Sequence, residues 1–196
     1  MKPAKTAGTS ILREFLEIRV SGIIHYKDHP QEFESWLNRI DDNSLKKYFI
    51  FSVVRNPWDR LVSIASYFKI PFHQFVRNIR EYWKDPDIRV HSLPVNLYTH
   101  YSGARFADII CRFENLQRDF DLVCSKLDIE PTTLPHANRS KHKHYSTYYD
   151  DNEIELVADI YADDIRLFGY RYHRNNHIAS FKDIIKKLTS RFSSNK

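Results

Sequence analysis

Tyr48-Phe49-Ile50-Phe51-Ser52-Val53-Val54 runs directly into Arg55-Asn56-Pro57-Trp58-Asp59-Arg60-Leu61-Val62-Ser63, and the junction between them decides the fold. The first half is apolar, aromatic and β-branched, the composition of a buried strand. The second half opens a helix. Asn56 can cap it, Pro57 suits its first position, and Asp59 falls in the first turn as in a capping box. The pattern predicts a strand over Tyr48–Val54 and a helix over Pro57–Phe68. Arg55 then emerges where a central strand ends and a helix begins, the edge at which open α/β sheets bind ligands. Ser63 lies two helical turns further on and can lean back toward the same ligand.

Toward the start of the chain, Lys5-Thr6-Ala7-Gly8-Thr9-Ser10 precedes the amphipathic run Ile11-Leu12-Arg13-Glu14-Phe15-Leu16. This reads as a loop opening into a helix. Backbone N–H groups point outward at a helix start and the dipole there favours negative charge. Gly8 permits close backbone approach. Lys5 adds a point charge and the hydroxyls add donors. Both segments suit phosphate-like anions.

Elsewhere the spacing predicts helices over about Thr9–Val20 and Pro30–Asn38, then an irregular stretch from Lys69 to Gly103 with a helix over Phe72–Ile79. Asp108–Phe113 reads as a second strand, Leu116–Leu127 as a helix and Glu130–Pro135 as a loop. Asp151–Phe168 reads as one amphipathic helix closed by Gly169. Strands alternating with helices predict a layered α/β fold.

With 196 residues, 42% hydrophobic and 28% charged, the chain has the size and composition of one soluble domain. A net charge of +5 fits either an anionic ligand or an ordinary solvated surface. The only cysteines, Cys111 and Cys124, sit in apolar contexts and read as core hydrophobes in a reducing compartment. No apolar run approaches the roughly 20 residues of a membrane span. No signal peptide is visible, so the expected location is cytoplasmic.

Three segments in order now carry a resemblance. They are the Lys5–Ser10 loop, the Phe51–Ser63 segment with its Val54-Arg55-Asn56-Pro57-Trp58-Asp59-Arg60-Leu61-Val62-Ser63 core, and Arg112-Phe113-Glu114-Asn115-Leu116 followed by Leu134-Pro135-His136-Ala137-Asn138-Arg139-Ser140-Lys141-His142-Lys143. Together they resemble the sulfotransferases that use 3′-phosphoadenosine 5′-phosphosulfate (PAPS), in the carbohydrate and bacterial branch related to heparan-type O-sulfotransferases. The resemblance runs from Lys5 to about Tyr172. It implies a P-loop-like three-layer fold with a central, mostly parallel sheet, a catalytic domain over residues 1–174 and a basic tail over 175–196. It also implies transfer of a sulfuryl group from PAPS to an acceptor hydroxyl, of a carbohydrate in that branch.

The resemblance assigns roles residue by residue. Lys5, Thr6, Ala7, Gly8, Thr9 and Ser10 would cradle the donor's 5′ end, with Lys5 stabilising the leaving oxygen. Arg55 and Ser63 would hold the 3′-phosphate, a task suited to paired guanidinium donors. Arg139 and Lys141 would add phosphate contacts from a closing loop. The family places its base between the first helix and the Arg-bearing strand; His25 lies nearest that position and His29 is the reserve. Arg60 has no ligand role by this reading and is structural or solvated. Glu114 is expected in a buried salt bridge, with orientation of a basic ligand contact as the alternative.

One departure stands out. In the family a buried strand leads into the Lys-Thr loop, but Met1-Lys2-Pro3-Ala4 leaves no room for it and Ala4 stands where the family has proline. A truncated or misplaced first strand is the expectation, and a catalytically silent relative is one reading that follows. His136, His142 and His144 lack one-face helical spacing and no cysteine is near, so no metal is expected. In the tail, Ile178, Phe181, Ile184, Ile185, Leu188 and Phe192 recur at helical spacing among lysines. They read as a terminal helix docked on its own domain, or alternatively as a peripheral membrane or partner contact. A P-loop-type kinase fails because Walker A places lysine after its last glycine, whereas Lys5 precedes Gly8. A nucleic-acid-binding module could use Tyr145, Tyr148 and Tyr149, but the basic residues form no single stripe, and nucleic acid is not an expected partner.

Overall fold

The computed structural model describes residue 35 and residues 38–101, 104–134 and 143–174. In chain order these form α1 (Asp42–Leu45), β1 (Phe51–Val54), α2 (Pro57–Phe68), α3 (Phe72–Arg77), α4 (Ile79–Tyr82) and α5 (Pro86–Ser92). A short antiparallel pair follows, β2 (His100–Tyr101) and β3 (Ala104–Arg105). Then come β4 (Ile109–Arg112), α6 (Leu116–Lys126), α7 (Asp151–Ile160) and α8 (Ala162–Phe168). Short 3-10 turns cover Val95–Tyr98, Phe113–Asn115 and Tyr145–Thr147.

β1 and β4 pair in parallel, with Phe51 opposite Ile109 and Val54 opposite Arg112. Successive strand residues face opposite sides, and the packing follows that alternation. Val53 joins Cys111, Phe120, Val123, Cys124 and Leu134 on one face. Val54 joins Trp58, Leu61, Ile64, Phe75 and Val157 on the other. Helices therefore cover both faces, α6 on one and α2 with α7 on the other, which is the layered α/β organisation expected. Both cysteines are free and buried in this core, as their apolar contexts predict.

α2 is the central helix and packs on α3, α5 and α7. Leu61, Val62, Ile64 and Ala65 are all but sealed from solvent, and burying each of the larger three contributes roughly 1.5–3 kcal/mol. Its bounds match the sequence reading because local signals set them. The Asn56 side chain accepts from Trp58 N at 3.0 Å and Asp59 N at 3.4 Å, and Pro57 takes the first position. At the far end Lys69 adopts a left-handed conformation, φ 55°.

Four elements differ from expectation. β1 is shorter than Tyr48–Val54 because at Ile50 the amide is taken by the Asp108 side chain, at 2.7 Å, in place of a ladder partner. The Asp108–Phe113 strand likewise contracts to Ile109–Arg112, since Phe113 enters a 3-10 turn. The helix expected over Phe72–Ile79 breaks at Asn78, whose φ is −115°. The long helix expected over Asp151–Phe168 breaks at Tyr161, whose φ is −110°. The cause of this last break is tertiary. Tyr161 is buried and its hydroxyl donates to Ser92 O at 2.6 Å, while Asp164 accepts from Val95 N and Asn96 N at 2.7 Å each. α5 was not anticipated, although Asp85 caps it through Asp87 N and Ile88 N and Pro86 opens it.

These bonds gather the segment 91–96 around one buried cation. Arg60 is 1% exposed and donates to Leu93 O and His91 O, both at 2.7 Å. Burial pulls its pKa down, opposed in part by Tyr161 and Asp164. Burial pushes the Asp164 carboxyl up, against the pull of its two amide donors. Arg60 is thus structural, one of the two roles open to it from sequence.

The expected helix Thr9–Val20, most of Pro30–Asn38, the basic tail 175–196 and the first-strand question at residues 1–4 lie outside the described residues.

Candidate active site

Arg55 is the first residue beyond β1, and Phe113 is the first beyond β4. The register that pairs Val54 with Arg112 makes them the next rung of the ladder. The guanidinium carbon lies 4.1 Å from the Phe113 ring centroid, a cation–π contact. Its Nε donates to Asp59 Oδ2 at 2.8 Å, one helical turn along. Arg55 is 6% exposed, while Asp59 remains partly open to solvent at 21%.

Asp59 does not close the capping box expected of it. That role needs a carboxylate on Asn56 N, and Glu114 Oε1 occupies that amide at 2.7 Å. Glu114 itself departs from expectation. It is exposed rather than buried, and among the described residues its carboxylate accepts from Asn56 N and from the Tyr170 hydroxyl at 3.1 Å. Burial first, and then the Glu114 charge, push Tyr170 up, which keeps its hydroxyl a donor.

Asn56 ties the site to the end of the domain. Beyond capping α2, its side chain donates to Arg171 O at 3.5 Å. Tyr145 accepts from His173 N at 3.0 Å and meets Tyr172 edge-on, which in turn meets Trp58. Burial raises the Tyr145 and Tyr149 hydroxyls; the latter donates to Trp58 O at 2.8 Å.

Ser63 is 4% exposed on α2. Asp59 and Ser63, four apart on α2, share one face of the helix, and Arg55 meets that face through its bond to Asp59. Arg55 thus reaches, through Asp59, the face of α2 that carries Ser63. The first-turn amides of Trp58 and Asp59 are taken by Asn56. α2 therefore offers an anion its positive end, while side chains are the donors. A buried guanidinium beside a helix start, with a hydroxyl along the same face, fits phosphate oxygens.

The basic loop that carries Arg139 and Lys141 lies outside the described residues; Leu134 and Lys143 flank it. Leu134 N donates to Gln117 Oε1 at 2.8 Å on the β4–α6 side. Lys143 N donates to the Tyr148 hydroxyl at 3.3 Å on the α2 side. Lys5, Thr6, Ala7, Gly8, Thr9, Ser10, His25 and His29 also lie outside the described residues. His144, the described member of the His-rich loop, pairs its Nδ1 with Ser146 Oγ at 2.8 Å.

A second polar cluster joins α3 to α7. His73, Asp150 and Glu153 bring three ligand-type atoms within 4.8 Å of one another. The Arg77 guanidinium already bridges both carboxylates at 2.8 Å, and Glu153 completes the capping box of α7. The cluster reads as an interhelical clasp.

Phe113, Tyr145 and Tyr170 were missed from sequence. From sequence Phe113 reads as the last residue of the second strand; the 3-10 turn that ends the strand at Arg112 makes it the counterpart of Arg55.

The family model for sulfotransferases matches residues 5–171. The chain belongs to the sulfotransferase family. Membership defines a transferase that moves a sulfuryl group from a donor to an acceptor. No curated protein and no solved structure matches the chain significantly. Among the described residues, no helix is long and apolar enough to cross a membrane.

Proposed function

We propose that the donor is PAPS and the acceptor a carbohydrate hydroxyl. The observation that carries the donor assignment is the Arg55 guanidinium held at the joined strand ends by Asp59 and Phe113. Arg55 and Ser63 hold the 3′-phosphate, with Arg139 and Lys141 closing over it. Lys5, Thr6, Ala7, Gly8, Thr9 and Ser10 cradle the 5′ phosphosulfate. The carbohydrate acceptor rests on the branch that the three segments resemble.

Sulfuryl transfer parallels phosphoryl transfer: positioning and electrostatic stabilisation do most of the work. PAPS supplies an activated sulfuryl group and a stable leaving group, 3′-phosphoadenosine 5′-phosphate. His25, with His29 in reserve, takes the proton from the acceptor hydroxyl as its oxygen attacks sulfur. Lys5 neutralises charge on the oxygen that departs. Residues 1–174 form the catalytic unit, and the basic residues 175–196 form a helix docked on it. Two free, buried cysteines agree with a cytoplasmic setting.

Thermal stabilisation tests the donor. 3′-Phosphoadenosine 5′-phosphate should raise the melting temperature where equal ATP or ADP does not. Equal or greater stabilisation by ATP would move the assignment to a nucleotide-triphosphate enzyme.

A further inference from the structure

We propose that Asp59 and Phe113 are positioning residues that orient Arg55 toward the 3′-phosphate of the donor. The proposal rests on the assignment of Arg55 to that phosphate. A guanidinium is planar, so two constraints fix its orientation. The Phe113 ring, 4.1 Å from the guanidinium carbon, sets the plane. Asp59 Oδ2, 2.8 Å from Nε, sets the rotation within it. A guanidinium held in this way presents its planar fork in one direction, the geometry that matches phosphate oxygens.

The arrangement depends on Glu114. By holding Asn56 N it takes the place that Asp59 would have filled in a capping box, and Asp59 turns to Arg55 instead. The 3-10 turn that follows β4 thus supplies both the ring beneath Arg55 and the carboxylate that releases its partner.

A carboxylate beside a phosphate site is electrostatically adverse, which gives the test a sign. If Asp59 acts only as a charge, its removal tightens anion binding. If it positions Arg55, its removal loosens binding despite the lost repulsion. Calorimetric affinities for 3′-phosphoadenosine 5′-phosphate and for 5′-AMP, which lacks the 3′-phosphate, separate these cases. Asp59→Ala should weaken the first by roughly tenfold, in line with the cost of a misplaced binding group, and leave 5′-AMP unchanged. Asp59→Asn, which keeps an acceptor for Nε, should restore most of the affinity. Phe113→Leu should weaken the first ligand alone, and Phe113→Tyr should not. Unchanged 5′-AMP affinity also certifies the fold, and the Phe113 pair tests the seat independently should Asp59→Ala fail to fold. Unchanged or tighter binding in Asp59→Ala, with wild type preferring the 3′-phosphorylated ligand, would overturn the positioning role. Equal wild-type affinity for the two ligands would instead overturn the Arg55 assignment, and the proposal with it.

Discussion

Arg55 and Phe113 stand side by side one residue past the ends of two paired parallel strands, guanidinium over ring at 4.1 Å. The ladder itself delivers the contact: once Val54 lies opposite Arg112, the next residues of both strands are adjacent. A buried cation thereby gains an aromatic face and a carboxylate, and it stands beside the positive end of α2, where an anion is favoured.

Asn56 joins that cation's strand to its helix. Asn56→Ala removes the cap of α2 and the bond to Arg171 O, and should cost about 1–2 kcal/mol in urea unfolding. Asn56→Asp keeps the capping oxygen but loses the amide donor, so it should recover only part of that stability.

Arg60 is the structural counterpart of Arg55. Arg60→Ala leaves the carbonyls of Leu93 and His91 buried without their donor and opens space beside Tyr161. A loss of about 3–5 kcal/mol is expected in denaturant unfolding. Arg60→Lys should not rescue it, because one ammonium cannot reproduce the planar fork.

Much of this was legible in sequence where local chemistry decides. Asn56 and Pro57 fixed the start of α2, and Gly169 ends α8 at φ 65°. The strand–helix junction put Arg55 at the right edge. Partnerships formed across the chain were not legible. The amide that releases Asp59 is bonded by a residue 58 positions away. The break at Tyr161 answers to Ser92 on another element, and no periodicity in 151–168 announces it.

Cys111 should be silent in the folded protein. Burial pushes its thiol up to about 12 from an ordinary 9.0. The unfolded chain therefore releases its proton first. Above pH 9 the folded state holds more protons, and stability should fall as pH rises, by up to about 1.4 kcal/mol per unit from this group. Below pH 9 it contributes no dependence. A thiol reagent should label Cys111 at the rate of unfolding; rapid labelling of native protein at pH 8 would contradict the burial.

Catalysis divides between two side chains. His25→Ala should leave donor affinity intact and lower turnover by roughly 10²–10⁴-fold, removing the acidic limb of the rate profile. Lys5→Ala should lower turnover and keep that limb. Rates over a panel of glycans and simple alcohols decide it. Loss in His29→Ala with a normal His25→Ala would transfer the role of base to His29.

The central claim is that Arg55 reads the 3′-phosphate of the donor. Calorimetry of wild type and Arg55→Ala with 3′-phosphoadenosine 5′-phosphate and with 5′-AMP tests it most directly. The variant should bind the first ligand more weakly by roughly 1.5–3 kcal/mol, the scale of a charged hydrogen bond, and the second with little change. Equal losses for both ligands would mean that Arg55 holds the fold rather than the phosphate.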